Sequence, residues 1–170
     1  MKRLVVLVSV IMVVQLAFGQ DPFEKAKFAL AAHDTTVALA QFKEALKAGR
    51  KIAETNYYLG VILLARGRVD EAIGHLQASI ERDNENVLAL KALGDGLVVK
   101  KDLAGALAQY RRAVKLAPKD ASISSGYGTT LLAADSVDAA IVQLTRAKEY
   151  APDNPALYSA LGDAYLKQNV

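Results

Sequence analysis

The sequence predicts an all-α fold, a solenoid of four antiparallel helix pairs followed by a C-terminal capping helix. One observation is a period, because the landmarks of residues 90–118 recur every 34 residues without a gap. A second is that each period contains two amphipathic helical patterns joined by a short polar connection, which makes the two helices antiparallel neighbours. The period is plainest in a row of glycines, Gly60, Gly94, Gly128 and Gly162.

The third period shows both helical patterns. Leu90, Leu93 and Leu97 are spaced three or four residues apart, as on one face of a helix. Lys101 and Asp102 then interrupt the apolar residues and mark the turn. The second helix repeats the spacing at Leu103, Ala106, Leu107, Tyr110 and Val114.

The glycine row lies inside the first helices, where a glycine costs about 1 kcal/mol relative to alanine. Close approach of the partner helix would compensate for that cost. Gly94, Ala106 and Ala113 have only a hydrogen or a methyl group as side chain, so the two backbones can come near each other. We therefore expect Tyr110 to lie across the gap against Gly94.

This order of residue types resembles the tetratricopeptide repeat family. In the third copy, the residues that carry the resemblance are Leu93, Gly94, Leu97, Ala106, Tyr110 and Pro118. The resemblance implies a right-handed superhelix whose first helices line a concave groove. It also implies that the groove binds a peptide or another protein.

One repeat domain is expected over residues 20–170, with repeats at about 21–52, 53–86, 87–120 and 121–154 and a capping helix at 155–168. The first copy is divergent and has Ala26 in the glycine row, as expected of a terminal repeat with one side facing water. Asp21 with Pro22, and Asn154 with Pro155, are the residue types of a helix N-cap and the first helical position.

Residues 1–19 have the organisation of a secretory signal peptide. Two basic residues precede an apolar run at residues 4–14, and small residues follow at Ala17 and Gly19. Cleavage after Gly19 would start the mature chain at Gln20, and the alternative is an uncleaved signal anchor. The chain has no cysteine, which excludes an N-terminal lipid on cysteine, disulfides and thiolate metal sites.

The charge balance disfavours nucleic acid as a partner. The formal charge of +3 becomes +1 when the two basic residues of the signal segment are removed, because 19 basic residues then face 18 acidic ones. A nucleic-acid surface would need a clear basic excess. The densest basic group is interpreted as a solvated helix face: Lys100, Lys101, Arg111, Arg112, Lys115 and Lys119.

Recognisable catalytic and metal-binding patterns are absent from the sequence. The two histidines, His33 in a turn and His75 on an outward helix face, are expected to be solvated. There is no nucleophile triad, zinc-binding HExxH, phosphate-binding loop or paired-carboxylate pattern. We therefore expect no enzyme activity, no cofactor and no metal.

The resemblance places the second, fifth, ninth, twelfth and thirteenth residues of each repeat on the concave side. The family's clamp for a C-terminal carboxylate has lysine at the fifth position and asparagine at the ninth, whereas here Lys91 is followed by Asp95. Lys91 with Asp95, and Asp163 with Lys167, are also spaced to form ion pairs within one helix. The candidate protein-binding residues are Glu54, Tyr57, Val61, Leu64, Lys91, Asp95, Val98, Ser125, Thr129 and Asp163.

The capping helix has an unfinished side. Tyr158, Gly162 and Tyr165 occupy positions at which complete repeats pack their own second helix. Tyr158 and Tyr165 are therefore candidate contact residues, for a partner or for a weak homodimer, since tyrosine is favoured at interfaces. The other interpretation is that both rings fold down and keep only their hydroxyl groups in water.

These observations together favour an exported, non-enzymatic scaffold or adaptor that binds a peptide or protein in its concave groove. The alternative is a membrane-tethered assembly factor, which follows if the N-terminal segment is retained as an anchor. Membrane contact is expected only in that case. An enzyme and an RNA-binding solenoid are less well supported, because the sequence lacks candidate catalytic groups and is nearly neutral.

Overall fold

The computed structural model describes residues 21–169, and all regular secondary structure in that range is helical. The predicted signal segment, residues 1–19, lies outside the described residues. The helices between residues 21 and 169 are α1 (Pro22–Ala31), α2 (Thr35–Lys47), α3 (Ile52–Ala65), α4 (Val69–Arg82), α5 (Val87–Val99), α6 (Leu103–Leu116), α7 (Ala121–Ala133), α8 (Val137–Tyr150) and α9 (Pro155–Gln168).

Consecutive helices form four pairs, α1 with α2, α3 with α4, α5 with α6 and α7 with α8. Each second helix then packs against the first helix of the next pair, and α9 packs against α8 at the end of the stack. First helices also contact one another, α3 with α5, α5 with α7 and α7 with α9. The predicted all-α solenoid of four pairs and a capping helix is confirmed.

The turn inside each pair has the same backbone geometry. His33, Gly67, Lys101 and Asp135 are 34 residues apart and all adopt the left-handed conformation, with φ of 60°, 73°, 64° and 62°. Each residue closes the first helix of its pair, because a left-handed residue lets the following amide groups return to the last helical carbonyls. In the third pair, for example, the Asp102 amide donates to the Leu97 carbonyl at 2.9 Å.

Side-chain caps begin most of the first helices. The Asp21 carboxylate accepts from the Phe23 amide at 2.9 Å, and Asn154 Oδ1 accepts from the Ala156 amide at 3.1 Å. Both helices have proline in their first turn. These two predicted helix starts are confirmed. The caps stabilise the first turns of α1 and α9, because they satisfy amide groups that have no partner within the helix.

The glycine row lets the two helices of a pair approach each other. A Cβ atom placed on Gly94 would lie 3.0 Å from Cζ of Tyr110, and one on Gly128 would lie 2.7 Å from Cγ of Leu144. The predicted packing of Tyr110 against Gly94 is confirmed. On Gly162, in the unpaired helix α9, a Cβ atom would meet no described atom within 4 Å.

An aromatic cluster completes the divergent first repeat. The rings of Phe42 and Tyr58 stack with centroids 4.9 Å apart, and Phe23 meets Phe42 edge-on at 5.7 Å. Phe23 and Phe42 are fully buried. These aromatic rings thus supply much of the contact between the first two pairs. The ion pair of Arg50 with Asp21, at 2.7 Å, connects the start of α1 to the loop after α2.

Candidate functional site

The first helices lie on the inner side of the stack. They contact one another from pair to pair, whereas no comparable set of contacts joins two second helices within residues 21–169. A stack bends toward the side on which its elements come closest. None of the ten candidate groove residues is fully buried: Glu54, Val61, Thr129 and Asp163 are exposed, and Tyr57, Leu64, Lys91, Asp95, Val98 and Ser125 are partly exposed.

An apolar strip follows the C-terminal halves of the first helices. Val99 is 64% exposed and Leu166 is 70% exposed, and Val61 also reaches solvent. Leu64 and Val98 lie beside them but are half-buried, because they also pack into the central core. Exposed apolar side chains on several of the first helices make this side of the stack a candidate contact surface.

Asp95 lies at the centre of a polar cluster on α5. Its Oδ2 atom is 2.8 Å from Nζ of Lys91, one turn earlier on the same helix. Its Oδ1 atom accepts a short hydrogen bond from the hydroxyl of Tyr110, which comes from α6. The carboxylate is therefore held from two sides, and the predicted Lys91 to Asp95 pair is present.

Tyr110 reaches Asp95 through a slot between α5 and α7. Its side chain is buried, with Gly94 on one side and Gly126 on the other. A Cβ atom on Gly126 would lie 2.9 Å from Cε1 of Tyr110, so a larger residue would displace the ring. Burial, and then the hydrogen bond to Asp95, raise the pKa of the Tyr110 hydroxyl far above its ordinary value. The hydroxyl therefore stays a donor to Asp95 at every physiological pH.

Gly126 was not singled out from the sequence, although a usable pattern was present. The equivalent positions in the other repeats hold Glu24, Tyr58 and Ala92, so a glycine here departs from the repeat. A glycine inside a helix, at a position where the other repeats have larger residues, indicates that another group of the protein packs closely against it in this repeat. Here it is the Tyr110 ring.

Two of the hydroxyl groups on α7, those of Ser122 and Thr129, donate to acceptors of the chain itself. Thr129 Oγ1 lies 3.1 Å from the carbonyl oxygens of both Ser125 and Gly126. Ser122 Oγ donates to Asp120 at 2.7 Å, and this bond is the main reason that the pKa of the Asp120 carboxyl is lowered. These side chains consequently present oxygen lone pairs, and few free hydrogens, to the groove.

The predicted ion pair between Asp163 and Lys167 is wrong. Lys167 instead lies 2.8 Å from the carboxylate of Asp135, and its ammonium also donates to the Leu132 carbonyl at 3.3 Å. Both partners lie at the C-terminal end of α7, where the helix dipole and unpaired carbonyls attract a cation. Asp163 is left exposed on the inner surface.

The expectation that His75 is solvated is also wrong. Its ring is half-buried between α3 and α4, with Nδ1 2.8 Å from Oδ1 of the buried Asn56. Burial lowers the pKa of His75 and outweighs the Glu71 carboxylate, which acts in the opposite direction. His33 is exposed in the first turn, as predicted.

The candidate edge on α9 is exposed. Tyr158 is 52% exposed and Tyr165 is 48% exposed, whereas their equivalents on α5, Leu90 and Leu97, are buried beneath α6. The hydroxyl of Tyr158 donates to the Pro152 carbonyl at 2.8 Å, which fixes the ring's direction. Both rings are thus partly exposed, and Nζ of Lys148 lies over the Tyr158 ring, 6.0 Å from its centroid.

Other kinds of site find little support in the part of the chain that the structure describes. No three His, Cys, Asp or Glu side chains of residues 21–169 come together in a way that could hold a metal ion. No helix in the same range has the length and apolar character needed to cross a membrane. In the basic group, Lys100 pairs with Asp70 at 2.7 Å and Arg112 donates to the Asn84 carbonyl at 3.1 Å. These two basic side chains therefore bind groups of the chain itself.

Family models identify the kind of repeat. Two models described as tetratricopeptide repeat match residues 23–87 and 100–164. Among curated proteins, anaphase-promoting complex subunit 3 of Schizosaccharomyces pombe is 26% identical over 155 residues, which are 88% of this chain and 23% of that protein. The TPR repeat-containing protein YpiA of Bacillus subtilis is 30% identical over 112 residues, which are 65% of this chain and 26% of that protein. The chain thus spans about a quarter of the length of these relatives.

Solved structures share the fold. The MamA protein superposes with a TM-score of 0.79 at 22% identity, over 87% of this chain and 81% of MamA. YrrB, described as a TPR protein with an unusual peptide-binding site, has a TM-score of 0.73 at 22% identity, over 82% of this chain and 72% of YrrB. The first TPR of Spaghetti, bound to an HSP90 peptide, has a TM-score of 0.69 at 20% identity, over 71% of this chain and 95% of that one.

Proposed function

Because this chain belongs to the tetratricopeptide repeat family, we propose that it is a non-catalytic scaffold that binds an extended segment of another protein along its first helices. The observation that carries the proposal is that the first helices bear both the exposed apolar side chains of this strip and the fixed Asp95 carboxylate. Apolar area supplies affinity, and a few placed polar groups supply orientation. Nothing in this arrangement requires chemistry from the scaffold.

The comparisons support this mode of binding. YrrB is a protein of the same fold with a peptide-binding site, and the first TPR of Spaghetti holds a peptide. Anaphase-promoting complex subunit 3 is part of a larger assembly. Proteins with this helix arrangement thus serve as interaction scaffolds, and the exposed strip of this chain suits the same use.

A photo-crosslinking experiment tests the groove. A photoreactive amino acid is placed at Val61 or Thr129, both exposed on first helices, and in a matched control at Asp70, exposed on the second helix α4. We expect groove positions to capture a partner from native extracts, and the control to capture none. Equal capture at all three positions would place binding outside the groove.

We propose further that the scaffold is exported, with a mature chain that starts at Gln20. The support is the order of basic residues, apolar run and small residues within residues 1–19. Intact-mass measurement of the protein in its native host should then show a chain that begins at Gln20. Recovery of a Met1 start in the membrane fraction would replace this proposal by the membrane-tethered alternative.

Weak self-association through α9 is part of the same proposal. The face that bears Tyr158 and Tyr165 corresponds to the faces of α3, α5 and α7 that each receive a second helix. A second copy of the chain would offer the same two aromatic side chains across a two-fold axis, which is the commonest geometry of dimers. Its bound area would be small, so the dimer is expected to be weak.

A further inference from the structure

Two hydroxyl groups of the groove offer a ligand acceptors rather than donors. The hydroxyl of Thr129 is already directed to carbonyls of its own helix, and that of Ser122 to Asp120. What these side chains have left are oxygen lone pairs. A segment that contacts these two hydroxyl groups must therefore bring hydrogen-bond donors to them, although the Lys91 ammonium keeps two of its three N–H donors.

Asp95 is the strongest of these acceptors. Lys91 and Tyr110 each use one carboxylate oxygen, which leaves about two of its roughly four lone-pair sites for a ligand. The side chain of Asp95 is 43% exposed, so a ligand group can reach it. Because Tyr110 is fixed in its slot, the carboxylate is oriented before a ligand arrives, and little ordering is needed on binding.

The ten candidate groove residues together carry a net negative charge. The candidate groove residues include three carboxylates, Glu54, Asp95 and Asp163, and one ammonium group, Lys91. Within residues 21–169, neither Glu54 nor Asp163 takes part in an ion pair. Asp95 already balances Lys91, so the groove is negative for an approaching segment.

We propose that the groove selects an extended apolar segment with a lysine or arginine side chain that reaches Asp95, an inference that rests on the proposed function. The apolar residues of the segment would cover Val61 and Val98, and the basic group would form a charge-assisted hydrogen bond with the carboxylate. An acidic tail is the disfavoured ligand, because its carboxylates would meet Asp95 and the lone pairs of Thr129. Asp95 thereby determines specificity.

The test selects ligands from a random library of phage-displayed dodecapeptides on the purified protein. Peptides are retained if binding is lost in Val61→Trp, which fills the floor of the groove. Their affinity is then measured by fluorescence polarisation for the parent, for Asp95→Asn and for the control Asp70→Asn. Asparagine keeps an acceptor for Tyr110 and removes the charge, and Asp70 lies on a second helix outside the groove.

We expect the retained peptides to be rich in lysine and arginine, and Asp95→Asn to weaken them by about ten-fold or more while Asp70→Asn changes little. Replacement of the peptide's basic residue by glutamine should weaken binding to the parent equally, a measurement that requires no change in the protein. The proposed specificity would be overturned if the retained peptides were acidic or uncharged, or if replacement of their basic residue left the affinity unchanged. The proposed function would remain intact in either case. If no selected peptide is lost in Val61→Trp, both proposals fail.

Discussion

Single small residues decide how closely the helices of a pair approach. Gly60, Gly94 and Gly128 occupy one position of the repeat, and at each of them a Cβ atom would enter the space of a large side chain from the second helix. Gly162 has the same position in α9 and no such neighbour. The same residue type is thus required at three positions and only tolerated at the fourth.

The first prediction compares the second and fourth members of that row, Gly94 and Gly162. Gly94→Leu should destabilise the protein by about 1 to 3 kcal/mol or more, because the new side chain would displace the Tyr110 ring. Gly162→Ala should instead stabilise it by up to about 1 kcal/mol through helix propensity. Both are measured by urea unfolding followed by circular dichroism, since the chain has no tryptophan. A Gly94→Leu protein as stable as the parent would contradict the packing described here.

The second prediction concerns His75 and pH. Its pKa is lower in the folded than in the unfolded protein, so its neutral form contributes stability that is complete above the unfolded value of about 6.5 and is lost as pH falls through the folded value. Carboxyl groups with lowered pKa values, such as those of Asp21 and Asp120, change the stability only near pH 4 and below, where they become protonated. Melting temperature should therefore fall between pH 7.5 and pH 5.5.

Replacement of His75 by glutamine should reduce that fall in melting temperature. Glutamine is the residue that the third and fourth repeats have at this position, Gln109 and Gln143. His33→Asn is the matched control, because His33 is exposed and asparagine tolerates its left-handed backbone. If His33→Asn reduces the pH dependence of the melting temperature and His75→Gln does not, the buried His75 and its hydrogen bond to Asn56 are not its cause.

At the scale of a helix or turn, the period was enough to predict the structure. Apolar spacing, caps and turn residues are local patterns, and four copies repeat each of them, so the pairs and the capping helix followed from the sequence. The backbone of the turns was not predicted, because only Gly67 among its four residues is a glycine. The other three turns put a side chain into a conformation that glycine adopts more easily.

The third prediction follows from those turns. Lys101→Gly should stabilise the protein by about 1 kcal/mol or less, because the strain of a left-handed side chain is removed, and Gly67→Ala should destabilise it by about 1 kcal/mol. Lys101→Ala is the control for loss of the lysine charge and should give no gain. Thermal unfolding of the three variants provides the comparison, and a gain in Lys101→Ala equal to that in Lys101→Gly would attribute the effect to charge.

Contacts between repeats were the part that the sequence did not reveal. Gly126 against Tyr110, and Lys167 with Asp135, each join groups from different repeats. Such contacts depend on how one pair is placed on the next, and the position of a residue within its own repeat does not specify that placement. The ten candidate groove residues came from repeat position alone, so their accessibility agrees with the structure while their contact with a ligand remains a prediction.

At the scale of the whole molecule, the two ends of the stack differ. At the N-terminal end of residues 21–169, the helix pair of α1 and α2 packs on the next pair through the aromatic cluster of Phe23, Phe42 and Tyr58, and Phe28 is 79% exposed. At the other end of residues 21–169, α9 covers α8 with its buried face, Leu157 and Leu161, and leaves its opposite face exposed. An exposed aromatic face is a surface at which association is expected.

The fourth prediction concerns association at that face. Light scattering over a concentration series should show a growing fraction of dimer for the parent, and a monomer for the double variant Tyr158→Asp with Tyr165→Asp, because two buried charges would oppose the contact. Phe28→Asp, a change of an exposed aromatic residue at the opposite end, should leave the dimer intact. A parent that stays monomeric at the highest concentration, or equal loss in the control, would contradict self-association through α9.

The slot around Tyr110 limits how this chain could have grown. Repeat arrays can lengthen when a copy of one unit is inserted between two others, which works when each junction accepts any neighbour. At the junction of the third and fourth repeats, an inserted copy of the second or third unit would place Tyr58 or Ala92 where the ring needs Gly126. The third and fourth repeats are therefore matched at their junction, and a unit inserted there must, like the fourth, have glycine at this position.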